Sequence, residues 1–153
     1  MAKFKFTETV GSPLPEITSC CLGTGSGNVY DSLYDLGKPV VMAAADNYVI
    51  SSAGGNIEGI IDSVEPGTHN SGYSFGGVRK SGRIKCIVGP NQGGTAMAVL
   101  DLVVADVNPA AGTLLPNGYP IIKTGTPTTM KWRVISIVSG TGTAGSIVLI
   151  ERI

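Results

Sequence analysis

From Met130 to Ile153 the chain reads as two apolar runs around one glycine-rich loop. Trp132-Arg133-Val134-Ile135-Ser136-Ile137-Val138 is rich in β-branched residues, Ser139 to Gly145 contains only small residues compatible with turns, and Ser146 to Ile150 is apolar again. The pattern predicts a hairpin. In its second strand Ile147 and Leu149 point one way and Val148 and Ile150 the other, so both faces need cover. Such a strand is expected inside a barrel, or between this subunit and another.

The same alternation places further strands along the chain. Lys38–Ala44 and Asn47–Ser52 are expected to pair around Ala45-Asp46, and Asn56–Val64 follows after a turn at Ser52–Gly55, with Gly59 marking a bulge or bend. Tyr73–Lys80 and Arg83–Val88 read as a hairpin across Ser81-Gly82, with Ile84, Cys86 and Val88 on its core face. Thr95–Val107 fits a helical spacing through Val99, Leu100, Val103, Val104 and Val107, but its valine density favours a strand. Ile121–Lys123 makes a short strand, and Tyr30–Leu36 one helical turn stopped by Gly37. Glu65–Gly72, Gly89–Gly94, Asn108–Tyr119 and Thr124–Thr129 are loops by their Gly, Pro and Asn content.

Residues 1–28 carry Pro13, Pro15 and the run Gly23-Thr24-Gly25-Ser26-Gly27, which suit an extended arm better than a central strand. Phe4, Phe6, Val10, Ile17 and Leu22 in that arm need a surface to pack on. With no fixed-period repeat and no dividing linker, the expectation is an all-β chain. It is a single small β-barrel or sandwich-like domain over residues 29–153 with an extended N-terminal arm over 1–28.

Composition narrows the function. At 153 residues the chain can bury a core without staples. Charged residues are only 14%, with 11 basic against 11 acidic, so no general field draws it to nucleic acid or an anionic membrane. A low-charge surface also does little to keep subunits apart. The start is not followed by an apolar leader, and the longest apolar stretch, Val40–Ala45, is too short to span a bilayer; a soluble protein is expected. Cys20, Cys21 and Cys86 are an odd set without C-x-x-C spacing, which suits reduced thiols in apolar surroundings; a bridge from Cys20 or Cys21 to Cys86 is the sharper alternative.

The candidate chemistry is thin. Gly140-Thr141-Gly142-Thr143-Ala144-Gly145 matches G-x-G-x-x-G, but it leads into a short final strand where a dinucleotide site needs a helix and a further parallel strand. His69 is the only histidine and lies in a loop without a triad, so Asp62, Glu65 and His69 do not make a convincing acid–base or metal set. Asp31, Asp35, Asp101 and Asp106 suit caps and surface positions. The cluster Arg79, Lys80, Arg83 and Lys85, near Tyr73 and Phe75, could mimic a single-strand nucleic-acid platform, but at zero net charge a solvated turn or a contact to an acidic protein is preferred. No catalytic residue, cofactor or metal is assigned.

Gly37-Lys38-Pro39-Val40-Val41 opening a strand, Glu58-Gly59-Ile60-Ile61 entering the next, Phe75-Gly76-Gly77-Val78-Arg79-Lys80-Ser81-Gly82, and Trp132-Arg133-Val134 closing into Ile147–Glu151 together resemble the small β-barrel head decoration (cement) proteins of tailed bacteriophages. The resemblance implies a non-enzymatic virion subunit, commonly a homotrimer, that clamps the major capsid protein on the outside of the shell after assembly in the host cytoplasm. On that reading Phe4, Phe6 and Ile17 of the arm, with Arg79 and Lys80, are the expected partner contacts, and neither nucleic acid nor membrane is a partner. The alternative is a carbohydrate- or receptor-binding module of a phage tail or adhesin; a hydrolase using His69 is a third reading.

Overall fold

The computed structural model describes residues 17–23, 30–43, 47–65 and 74–153. Within them run ten strands: β1 (Ile17–Leu22), β2 (Pro39–Met42), β3 (Asn47–Ile50), β4 (Gly59–Val64), β5 (Ser74–Arg79), β6 (Arg83–Val88), β7 (Leu102–Ala105), β8 (Ile121–Thr124), β9 (Trp132–Ser139) and β10 (Ile147–Arg152). The only other regular pieces among the described residues are 3-10 turns at Pro90–Gln92 and Pro116–Gly118. The all-β barrel expectation is met, but with two barrels in place of the single one expected over 29–153: β1-β3-β2-β4-β5 closes into one five-stranded barrel and β6-β8-β7-β9-β10 into a second.

The two barrels are copies of one plan. In each, the first and third strands are parallel (β1 with β3, β6 with β8) and every other pair is antiparallel. The registers also correspond pair by pair. Leu22 opposes Tyr48 as Val88 opposes Ile122, Val40 opposes Gly59 as Val103 opposes Trp132, and Val78 opposes Ile61 as Ile150 opposes Val134. Even a bulge recurs: Asp62 is the extra residue on β4 and Ile135 the extra residue at the same place on β9. The entry to the second strand is shared as well. Gly37 N–H donates to the Ile61 carbonyl and Ile61 N–H to the Lys38 carbonyl, while Leu100 N–H donates to Val134 and Val134 N–H to Asp101, each at 2.8–3.0 Å.

Each barrel fills its interior from one face of its strands. Leu22, Tyr30, Val40, Tyr48, Ile61, Val64 and Val78 fill the first. Cys86, Val88, Val103, Ile122, Trp132, Val134, Val148 and Ile150 fill the second, joined by Met97 and by Ile57 and Ile60 from the first barrel's side of the seam. Volumes trade across equivalent positions, since Trp132 stands where the first barrel has Gly59. A Cβ added at Gly59 would overlap the Val78 side chain. That close approach, rather than a bulge, is why glycine is required there.

The seam is held by polar groups that water does not reach. Lys38 and Asp35 are both 0% exposed and form an ion pair of 2.5 Å. Lys38 also donates to the Ala110 carbonyl at 2.7 Å, and Asp35 accepts from the Asp31 and Gly112 backbone N–H groups at 2.6 and 2.9 Å. Ala110 and Gly112 belong to the second barrel's β7–β8 connection, so the pair fastens the barrels together. Further bonds run from Gly54 N–H to the Ala105 carbonyl, from Ala105 N–H to the Gly55 carbonyl, and from Trp132 Nε1–H to the Ile57 carbonyl at 3.0 Å.

Several expectations are corrected. Within the stretch 1–28, read as an arm, Ile17–Leu22 is a barrel strand bonded to β5 along its whole length and to β3 at its end; the prolines precede it, so no ladder donor is lost. Residues 1–16 and 24–28, with Phe4 and Phe6, lie outside the described residues. β5 and β6 are strands but not a hairpin: β5 pairs with β1 and β4, and β6 with β8 and β10. Ser81-Gly82, with Gly82 at φ +91°, is the crossing between barrels. The strand expected over 95–107 begins only at Leu102. Asp35 and Asp106 are fully buried rather than on the surface; Asp106 accepts from Asn91 through N–H and Nδ2 at 2.9 and 2.7 Å. The single turn at Asp31–Asp35 forms, with Asp35 N–H donating to the Asp31 carbonyl at 2.9 Å. The cysteines are free. Cys20 and Cys86 occupy equivalent positions in different barrels, facing different cores.

Three outcomes follow. Lys38→Met leaves the Asp35 carboxylate buried without its cation and should cost about 3–5 kcal/mol in urea unfolding; a loss under about 1 kcal/mol would show the pair is incidental. Deleting residues 1–28 removes β1 and should abolish the amide dispersion of both barrels in NMR, since the second core is completed from the first, whereas a native spectrum would mean β1 is dispensable. Burial raises the Cys86 thiol and, with neighbouring Cys21 adding and Lys80 opposing, the Cys20 thiol; burial also raises Tyr30, partly offset by the Ile50 N–H bond. Above pH 9 the unfolded chain sheds these protons while the folded chain keeps them, so stability is full below that pH and falls as pH rises. The urea midpoint should drop between pH 9 and pH 11; a flat or rising midpoint contradicts the assignment.

Candidate docking surface

The barrel wall built by β6, β10 and β9 carries its functional signal on the outside. Reading across the registers, one outward row is Arg83, Glu151, Arg133 and Leu102, the next is Lys85, Leu149 and Ser136, and the next is Ile87, Ile147 and Ser139. Two bulges on β9 add Ile135 and Val138 as extra residues against β10. Bulges of this kind re-aim side chains out of the regular alternation. Val138 is exposed and Ile135, Ile147, Leu149 and Ile87 are half-buried, while Val148 and Ile150 face the core at 0% exposure. The sequence expectation of a last strand apolar on both faces is therefore met, with the inner face covered by its own barrel and the outer face open.

The first barrel supplies an internal control, because the same backbone carries different residues there. At the positions equivalent to Lys85, Ile87, Ile135, Ile147 and Leu149 it has Ser19, Cys21, Asp62, Phe75 and Gly77. At the positions of Arg83, Glu151 and Arg133 the first barrel has Ile17, Arg79 and Ile60, so its wall also carries apolar and basic groups, but it has no counterpart to Lys85, Ile135 or Leu149. Those three side chains are surplus to the fold's needs, which is the mark of a contact surface.

Leu100 sharpens the contrast. It is 67% exposed and sits at φ +78°, a left-handed conformation that costs a side-chain-bearing residue about 1–2 kcal/mol. The equivalent residue in the first barrel is Gly37 at φ +82°. Bonds on both sides hold the segment, with Met97 N–H donating to Gly142, Leu100 N–H to Val134 and the Asp101 carboxylate accepting from Ala98 N–H at 2.7 Å. The chain therefore keeps an aliphatic side chain, pointed at water beside exposed Val99, where its own sister barrel keeps glycine.

The polar rim is basic. Arg83 pairs with Glu151 at 3.4 Å. Arg133, on the other side of Glu151, has no hydrogen-bond partner among the described residues, and its Nε is buried without an acceptor. Lys85 is exposed and, among the described residues, has no ion-pair partner.

Of the residues singled out from sequence, Ile17 and Arg79 face each other across β1 and β5, and Lys80 follows at the crossing between barrels. Lys80 Nζ lies 5.4 Å from the Tyr48 ring centre, its carbonyl accepts from Arg152 at 2.9 Å, and Arg79 Nε donates to the Ser81 carbonyl. These three are brought together and largely engaged in the junction. Ile17 stays half exposed. Arg83 and Lys85, from the same basic run, belong instead to the second barrel's outer wall. His69 lies outside the described residues. Gly140–Gly145 is the β9–β10 connection, with Gly140, Gly142 and Gly145 all at positive φ, and leads into a strand. Among the described residues no cluster of His, Cys, Asp and Glu could hold a metal, and no helix is long and apolar enough to cross a membrane. Compared with family models, with curated proteins and with solved structures, the chain matches none.

Sequence reasoning missed Leu100 and Arg133. Leu100 falls in a valine-rich stretch read only for helix against strand, and its left-handed backbone alone sets it apart; Arg133 sits inside an apolar run. Leu100→Gly should leave the fold intact and raise stability by up to about 1 kcal/mol, since relieved strain outweighs the entropy of a new glycine. Thermal and urea unfolding check this; a loss above about 1 kcal/mol would show that Leu100 packs on its own chain.

Proposed function

We propose that this chain is a structural virion protein, a decoration subunit that binds the outside of an assembled phage capsid as a homotrimer and clamps neighbouring copies of the major capsid protein. The observation that supports it is the second barrel's outer wall, which carries Lys85, Ile135 and Leu149 where the sister copy has Ser19, Asp62 and Gly77. A subunit that works by burying surface against others needs such a wall and needs no constellation of catalytic groups. Two rigidly fastened barrels also suit a clamp, because one can seat on a neighbour while the other holds a different contact.

Light scattering of the purified chain, alone and mixed with assembled shells from the same source, tests the reading. The expected results are a mass of three chains and retention on the shells at a fixed stoichiometry. A monomer that leaves shells unchanged in mass and in heat resistance would end this account.

A further inference from the structure

We infer that the outer wall of the second barrel receives an acidic, aliphatic protein surface, with a partner carboxylate on Arg133 and an apolar recess around Leu100. The inference rests on the reading above for its setting, but its chemistry is argued from the wall alone.

The charges choose the partner's sign. Arg83 and Lys85 on β6 and Arg133 on β9 face out on either side of β10, whose Glu151 is already paired with Arg83; Asp62 lies beside Arg83 and Lys85, which leaves Arg133 as the cation with no bonded carboxylate among the described residues. Arg133 presents a planar fork of donors with none used among the described residues, and its Nε is already out of water without an acceptor. A guanidinium in that state gains most from a carboxylate, which can accept two parallel bonds and satisfy the buried donor. A second copy docking through the same wall would set cation against cation, so an isologous pair is disfavoured. Nucleic acid would also supply anions, but the wall is lined by Ile87, Ile135, Ile147 and Leu149, with the half-buried Tyr119 at its edge beside Arg83 and Lys85, where stacked bases need a succession of exposed rings. Aliphatic centre and basic rim together fit a protein surface that is aliphatic and acidic.

Leu100 supplies the position of the anchor. An exposed aliphatic group held on strained backbone is pre-positioned, so little conformational freedom is lost when a partner covers it. It stands two residues before Leu102 of the ladder pair Leu102–Arg133, beside the Val134 carbonyl that its N–H meets. One partner surface can therefore reach both side chains.

The test uses isotope-labelled full-length protein and two dipeptide probes, acetyl-leucyl-glutamate amide and its glutamine counterpart. The expected result is that the glutamate probe moves the Arg133 Nε–H signal and the methyl signals of Leu100, Ile135 and Leu149. It should bind at least about tenfold more tightly than the glutamine probe, the scale of one charge-assisted bond. Arg133→Met, which keeps the stem, should remove that preference, and Leu100→Gly should weaken both probes without loss of fold. Equal response to the two probes, a stronger response to oligothymidylate, or the same shifts on concentrating the protein alone would each overturn the proposal. Shells separate the two ideas. If wild type and Arg133→Met decorate shells equally, the partner chemistry fails and the capsid reading stands. If the glutamate probe binds as described but shells are ignored, the capsid reading fails alone.

Discussion

A lysine and an aspartate with no access to water are the hinge on which this molecule's architecture turns. Lys38 directly precedes β2 of the first barrel and Asp35 lies in the turn before it, yet the acceptor and donor that complete them, the Ala110 carbonyl and the Gly112 N–H, come from the second barrel. Neither charge could stay buried in a single barrel, because an ion pair removed from water needs its remaining protons and lone pairs satisfied. Separating the barrels would strand both groups. A five-stranded barrel of some sixty residues is also near the lower limit for a self-sufficient core, and Ile57 and Ile60 cross the seam to complete the second one. Polar and apolar forces thus impose the same rule: the barrels are stable as a pair.

Once the barrels are obliged to stay together, they no longer need to be alike. Inner positions remain exchangeable by volume, with Trp132 and Gly59 at one equivalent site and Ile122 and Tyr48 at another. Outer positions diverge in chemistry. Ser19, Asp62 and Gly77 stand in the first wall where Lys85, Ile135 and Leu149 stand in the second. Because register and the shared bulge are held constant, the difference cannot be attributed to folding. It isolates what one wall does that the other does not.

Much of the local structure was legible in the sequence, and the reasons are specific. The β-branched run Trp132–Val138, the small-residue loop and Ile147–Ile150 specify a hairpin on their own, and β2 with β3 is set by a short connection. What alternation does not encode is which strand lies beside which. Tyr73–Lys80 and Arg83–Val88 look like a hairpin because both are strand-like and Ser-Gly separates them, but β5 is already bonded on both edges within the first barrel. Duplication was hidden for the same reason: register is a property of backbone pairing, and equivalent strands such as Ile17–Leu22 and Arg83–Val88 share little beyond Cys20 and Cys86. Of the candidate surface, the two-faced last strand was readable. Leu100 was not, since a positive φ at leucine leaves no trace in composition or period.

A contact surface carries its function differently from a catalytic site. Enzymes advertise themselves through titratable groups at recognisable spacings, whereas a contact surface is made of ordinary residues in places the fold does not require them. Here the requirement can be read directly, because Gly37 states what the backbone at that position asks for. Leucine in its place opposes both backbone preference and hydration, while Arg133 leaves a buried donor unmet beside it. Two unfavourable choices close together in the second barrel, at positions where the first has Gly37 and Ile60, point to one cause outside the chain: a surface that covers the leucine and answers the arginine at once.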